Sequence, residues 1–424
     1  MARNARQPRT AAHTAEGDTK PKHNRGKIAA LLIIFAGVIL AVILVRRYQL
    51  FQLHTVVQSA RAVQDWDQVA AATNVWLDRD PDSPMARMYA AEAAQHRGSF
   101  EQAINHLLSQ IPATDPAAAH AKVQQAQLYL GPLNRPMIGE TKLKEATQIN
   151  PRSTEAQREL LRHYGITAQR AKALAQARLA IENESDSPAT YVYLISLDSI
   201  VYSTGKETNA RWLESGENKE MFEVAMLVNE ARTIGLGESA DALVDTNQRQ
   251  TELAQLENQL LLTLERYPEN LELLAILLST YSDRGDAQKV AKLLSQVPAS
   301  AANDARFFRY KGWLHRMRDE FAEAERAFRQ AITKDPYDWK SQTQLAETLR
   351  LQNRTSEAES TLKIASMGTQ LRKSILGLST IETLPMNVLE QLYQYAVTMN
   401  DQSVADQLAI RIDQISNAAT TATP

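Results

Sequence analysis

Arg306, Arg309, Trp313 and Arg316 follow one another at intervals of 3, 4 and 3 along the chain. On an α-helix that spacing places all four side chains on one face. An indole flanked by guanidinium groups suits an acidic peptide or a terminal carboxylate. The planar forks supply charge-assisted hydrogen bonds and the ring supplies apolar contact. The competing reading is ordinary surface charge, neutralised by Glu323, Glu347 or Asp319.

Nothing else in the chain offers comparable chemistry. There is no HExxH, P-loop, GxSxG or GxGxxG pattern. Histidines stand scattered at 13, 23, 54, 96, 106, 120, 163 and 315; His96 and His106, 10 apart on different helices of one repeat, have no carboxylates or further histidines converging on them at a suggestive spacing. Glu323 and Glu325 are two apart and so point away from each other on a helix. The chain has no cysteine, which excludes disulfides, thiolate metal sites and a cysteine nucleophile. We therefore expect no catalytic residue, no metal and no cofactor. Trp66 and Trp76 fall on apolar packing positions and read as core, whereas Trp212 has no evident role.

The elements that must position the cationic face are helices. Gly and Pro are scarce, at 15 each in 424 residues, while Ala, Leu, Gln and Glu recur. From Ala305 the sequence reads ARFFRYKGWLHRMRDEFAEAERAFRQAITKDP. Small residues at Gly312 and Ala324 let two helices approach closely. Phe321, Ala324, Phe328 and Ala331 share one face, and Asp335-Pro336 ends the second helix. One such hairpin cannot bury its own apolar face, so the unit has to recur. It does: Val290, Ala324 and Ala358 follow one another at a constant period of 34, as do Leu278, Gly312 and Ala346.

This unit resembles the tetratricopeptide repeat (TPR), with Lys311 and His315 as its two departures from the usual pattern. The resemblance implies an all-α, right-handed solenoid of about eight or nine helical hairpins. It also implies that first helices line a concave groove, which would add Lys340 and Arg350 to the peptide-binding set. The Lys/Asn set by which chaperone-binding members clamp a terminal carboxylate is not reproduced.

Residues 269–370 carry the best-formed repeats. Residues 48–187 repeat more loosely: Val69 and Ala103 are 34 apart, as are Gly139 and Ala173, with an insertion in the Gly131–Pro136 turn. Residues 188–268 break the period. Helices are expected at 189–203, 221–234 and 246–266, with loops at 203–219 and 235–241, as divergent repeats rather than an inserted fold. Residues 371–416 read as a capping unit and 417–424 as a disordered tail.

Ahead of the array, Ile28–Val45 is an 18-residue run without charge. At 1.5 Å per residue it spans about 27 Å, close to the hydrocarbon thickness of a bilayer. The polar stretch 1–27 precedes it and Arg46-Arg47 follows, which favours a retained anchor over a cleaved signal. That tail carries seven Lys/Arg against Glu16 and Asp18 and lacks apolar residues to bury. The positive-inside rule then places the tail in the cytoplasm and the array across the membrane, the alternative being a cytoplasmic array. The whole chain stands at −2, the tail contributes +5 and Arg46-Arg47 +2, which leaves −9 on residues 48–424. An acidic solenoid has no general attraction for nucleic acid.

The expected function is a membrane-anchored scaffold or assembly factor that binds protein partners through its groove, among them acidic peptide segments. Two other functions fit the same pattern: a permanent subunit of an envelope, secretion or polysaccharide-export machine, and an enzyme whose activity lies in 188–268.

Overall fold

The computed structural model describes residues 24–235, 246–380 and 383–421. The basic tail up to residue 23, most of the expected 235–241 loop and residues 422–424 lie outside them. Among the described residues there is no β-strand. The chain forms two compact units, one ending at Ala93 and one beginning at Ala94.

The first unit contains α1 (Asn24–Ala62), α2 (Trp66–Arg79) and most of α3 (Pro84–His96). The helix that carries the apolar run does not end at Arg46-Arg47: α1 continues without a break for 39 residues in all. Its apolar side chains from Ile33 to Val45 are all exposed, whereas Val57 and Ala60 near its end are buried against Val69 and Trp76 of α2. One helix, with its described apolar stretch at Ile33–Ala62, is thus long and apolar enough to cross a membrane. Asp65 caps α2 by accepting from the Gln68 amide at 3.0 Å. Trp66 is partly buried and Trp76 fully so, both in this core.

The second unit runs through α4 (Phe100–Gln102), α5 (Ala118–Leu130), α6 (Pro136–Ile149), α7 (Thr154–Ile166), α8 (Arg170–Glu182) and α9 (Pro188–Ser196). Then come α10 (Gly205–Glu214), α11 (Lys219–Gly235), α12 (Thr246–Arg266), α13 (Leu271–Asp283), α14 (Ala287–Leu294), α15 (Ala305–Met317) and α16 (Phe321–Lys334). It ends with α17 (Trp339–Leu351), α18 (Thr355–Leu376), α19 (Met386–Thr398) and α20 (Gln402–Thr421). α5/α6, α7/α8, α13/α14, α15/α16, α17/α18 and α19/α20 each pack as a hairpin.

The repeat is visible in the backbone as well as the side chains. Gly285, Asp319 and Asn353 turn the chain between paired helices with φ of 74°, 61° and 61°. Asn270, Asp304 and Asp338, again one per repeat, cap α13, α15 and α17 through their side chains. Gly312 is where two helices meet: a Cβ there would lie 2.7 Å from the Phe328 ring.

The irregular stretch departs from expectation at one point. Residues 205–214 form α10 where the polar, Gly-containing sequence suggested a loop. Tertiary contacts hold it: Trp212 is buried against Phe222 and His163, and its indole N–H donates to the Leu130 carbonyl at 2.8 Å. Asn209 and Asn229 both donate to the Ile166 carbonyl, at 2.9 and 2.8 Å. These helices share cores with the repeats on either side. At the far end α20 runs to Thr421, into the stretch expected to be a disordered tail.

The second unit closes on itself. One apolar core joins Leu160, Ala177, Tyr191 and Val192 to Leu371, Leu392, Tyr395 and Val404. Ion pairs rim the seam: Arg170–Asp335 at 2.9 Å, Arg178–Asp401 at 2.5 Å and Arg411–Asp186 at 2.8 Å.

Candidate functional site

Inside the second unit lies a cavity of about 540 Å3, within the range of ligand-holding clefts. Its wall is built mainly from first helices of successive hairpins. Glu272, Arg306 and Lys340 occupy one register position, repeated at the 34 period, on α13, α15 and α17. Ile276, Tyr310 and Gln344 occupy another at the same interval, and Trp313 stands one turn further along α15.

Three of the sequence-derived residues are already engaged by carboxylates: Arg306 and Arg309 within the wall, and Arg316 outside the lining. Arg306 is buried and meets Glu272 at 2.6 Å and Asp304 at 2.7 Å. Arg309 donates to Asp338 at 2.6 Å. Arg316 pairs with Glu347 at 2.5 Å, one of the three acids considered for this face. The other two partnerships use the N-cap residues Asp304 and Asp338, so each carboxylate both starts a helix and neutralises a guanidinium. Trp313 is 8% exposed, enough to line the cavity but too little to offer an open ring face. Lys340 is exposed and lines the cavity, with Nζ 5.8 Å from the Trp339 ring centroid. Arg350 is exposed and is not among the lining residues.

One residue at this end of the cavity went unnoticed in the sequence. Arg372 on α18 places its guanidinium carbon 5.9 Å from the Trp339 centroid. Trp339 itself opens α17, and Gly368 of α18 packs beneath it so closely that a Cβ would lie 2.5 Å from the Trp339 Cβ. Arg372 lies beyond the repeat block that ends at residue 370, which hid it. The extra length of α18 carries Arg372 to the cavity.

Electrostatically the wall is a lattice of opposite charges. Asp198 reaches Arg170 at 3.0 Å and Arg232 at 3.9 Å. Burial would raise its carboxyl, but Arg170, Arg306 and Arg232 hold it well below the usual range. Asp335 goes the other way: burial and the neighbouring Asp338 and Asp198 charges raise it despite Arg170.

A second cavity, of about 400 Å3, lies beside the irregular stretch and includes Glu207, Glu230, Glu252, Lys206 and Tyr202. Glu230 is tied to Lys206 at 2.5 Å, and burial pushes the Tyr202 hydroxyl up to about 12. A hydroxyl raised that far keeps its proton near neutrality. No group of three or more His, Asp or Glu among the described residues is placed to hold a metal ion.

No family model and no curated protein matches the chain. Solved structures do. It is similar to the APC/C hetero-tetramer Cut9-Hcn1, at 13% identity over 86% of this chain and 79% of that one, with a TM-score of 0.30. It is similar to a tetratricopeptide repeat protein from Parabacteroides merdae, at 12% identity over 71% and 99%, with a TM-score of 0.27. Yeast Tom70 matches at 14% over 84% and 63%, with a TM-score of 0.32. The assignment itself rests on this chain's own hairpins, with their regular register of caps, turns and close approach at Gly312. The fold is a TPR-type helical array. Its first helices α13, α15 and α17 supply most of the cavity wall.

Proposed function

We propose that this protein is a membrane-anchored scaffold that holds segments of partner proteins in the inner cavity of its TPR array and catalyses no reaction. The observation that carries this reading is the registered wall. Three first helices offer equivalent positions at equal steps, a surface suited to a linear partner. The exposed apolar stretch of α1 supports the anchor, because a helix with no buried side chain from Ile33 to Val45 has no soluble core to join. Charge bias around it supports a cytoplasmic tail with the array on the opposite side.

The test is crosslinking in cells, then purification from detergent-solubilised membranes and mass spectrometry. The control carries Ser279→Arg and Thr343→Trp, which narrow the cavity. Discrete partners lost in the control support the reading. Partners retained by the control would move the binding surface elsewhere, and the absence of any reproducible partner would overturn the scaffold. Reporter fusions at the C-terminus decide the topology: activity of a cytoplasm-only reporter there would reverse the orientation.

A further inference from the structure

We propose that the end of the cavity formed by Trp339, Lys340, Gln344 and Arg372 is the subsite that receives an acidic side chain of an extended peptide. This deepens the scaffold reading and rests on it.

The first argument is the distribution of charge. Arg232, Arg284, Arg306 and Arg309 each reach a carboxylate within the protein. Lys340 and Arg372 also line the cavity but have no carboxylate partner among the described residues. Their cationic heads lie 5.8 and 5.9 Å from the same indole. Positive charge that the fold leaves unneutralised is therefore concentrated at one end of the cavity. The indole beside it gives the methylenes of an acidic side chain an apolar surface.

The second argument is unmet hydrogen bonding. Arg372 Nε and Gln344 Oε1 are both buried and have no hydrogen-bond partner. One is a donor and the other an acceptor. A buried polar group left unmatched is costly, and such groups are few in folded proteins. A peptide residue with an acidic side chain at this end of the cavity brings a carboxylate to Arg372 and Lys340 and a backbone N–H beside Gln344, side chains whose hydrogen bonding the fold leaves incomplete.

The third argument is shape. Packed helices stand about 8–10 Å apart. An extended chain advances about 3.3–3.6 Å per residue, so each step of the wall spans roughly three residues. The register Glu272, Arg306, Lys340 thus runs from a position where an acid is already in place to one where only cations stand.

The experiment uses the full chain in detergent micelles and two fluorescein-labelled octapeptides with amidated C-termini, one alternating glutamate and serine, the other glutamine and serine. Fluorescence anisotropy at low salt should show the glutamate peptide bound about tenfold or more tightly than its neutral twin. Lys340→Gln and Arg372→Gln should each abolish that preference, and Arg350→Gln should leave it intact. Lys340 is exposed, so its substitution tests the subsite without unfolding the array. Equal binding of the two peptides, or a preference that survives both substitutions, would overturn the subsite. Crosslinked partners retained by both variants but lost on narrowing the cavity would likewise remove the subsite, while leaving the scaffold in place.

Discussion

Arg306 and Glu272 occupy the same position in successive hairpins and join through two hydrogen bonds, of 2.8 and 2.6 Å. Opposite charges at one register position act as a staple between neighbouring repeats. Asp304 completes the arrangement by capping α15 and binding the same guanidinium at 2.7 Å. The pair sits in the cavity wall, so the wall's shape and the stability of the array depend on the same contact.

Arg306→Met should therefore act on stability. Removing one partner of a buried pair strands the other charge and costs about 3–5 kcal/mol. Arg306→Met with Glu272→Gln should recover part of this loss, because the stranded acid is gone. Urea unfolding of the purified chain measures both. A single-variant cost below about 1 kcal/mol would mean the pair behaves like an exposed one.

Gly312→Ala tests the close approach of α15 and α16. The new Cβ would meet the fully buried Phe328 ring at 2.7 Å, so the helices must separate or the ring must turn. Overpacking of this kind costs about 1–3 kcal/mol. Ala at Gly285 meets nothing within 4 Å but must adopt a φ of 74°, which costs about 1–2 kcal/mol. The first variant should also change the tryptophan fluorescence of neighbouring Trp313 and the second should not. Identical spectra for both would contradict the packing argument.

Glu140 supplies a pH test. Its carboxylate is buried beside His163 at 3.3 Å, Lys144 at 2.5 Å and Lys172 at 3.6 Å. Burial would raise its pKa, but the hydrogen bonds from His163 and Lys144 and the Lys172 charge outweigh it and hold the group well below its ordinary 4.5. A folded-state pKa below the unfolded one contributes stability that is complete above pH 4.5 and lost as pH falls toward the folded value. Glu140→Gln should lower the unfolding free energy at pH 7, measured in urea, by about 3 kcal/mol. The gap to the unsubstituted chain should then narrow on acidification from pH 5 to pH 3. A gap that stays constant would show that the carboxylate carries no proton-linked stability.

The hairpins were legible where spacing alone dictates packing. Gly312, Ala324 and Phe328 sit on a strict period, and the close approach follows from their sizes. The α10 helix was not, because GKETNARWLE has a loop's composition and is held helical by Trp212 and Asn209 reaching distant carbonyls. The cationic face was legible as a face but not in its pairing. Only the fold shows that the caps Asp304 and Asp338 also bind Arg306 and Arg309. One signal was available: Glu272 and Arg306 are opposite charges one full repeat apart. Arg372 carried no such signal, since it lies beyond the last residue that the repeat period explains.

Closure of the second unit gives the last test. Asp186 is buried, accepts from Arg411 Nε at 2.8 Å and from the Tyr191 hydroxyl at 2.8 Å, and so ties α20 to the start of α9. Arg178 crosses the same seam to Asp401, which also accepts from the Tyr337 hydroxyl at 2.9 Å. Beneath these polar ties the apolar seam of Val192, Leu392, Tyr395 and Val404 would remain after their removal. Arg178→Ala with Arg411→Ala should therefore loosen the closure without unfolding the repeats, since a hydrogen bond to a charged group contributes about 1.5–3 kcal/mol. Hydrogen exchange should accelerate in α19, α20 and residues 186–197, while α15 and α16 keep their protection. Exchange unchanged at the seam would mean that apolar packing alone holds it shut. Acceleration spread evenly through the array would mean that closure and repeat stability are one cooperative transition.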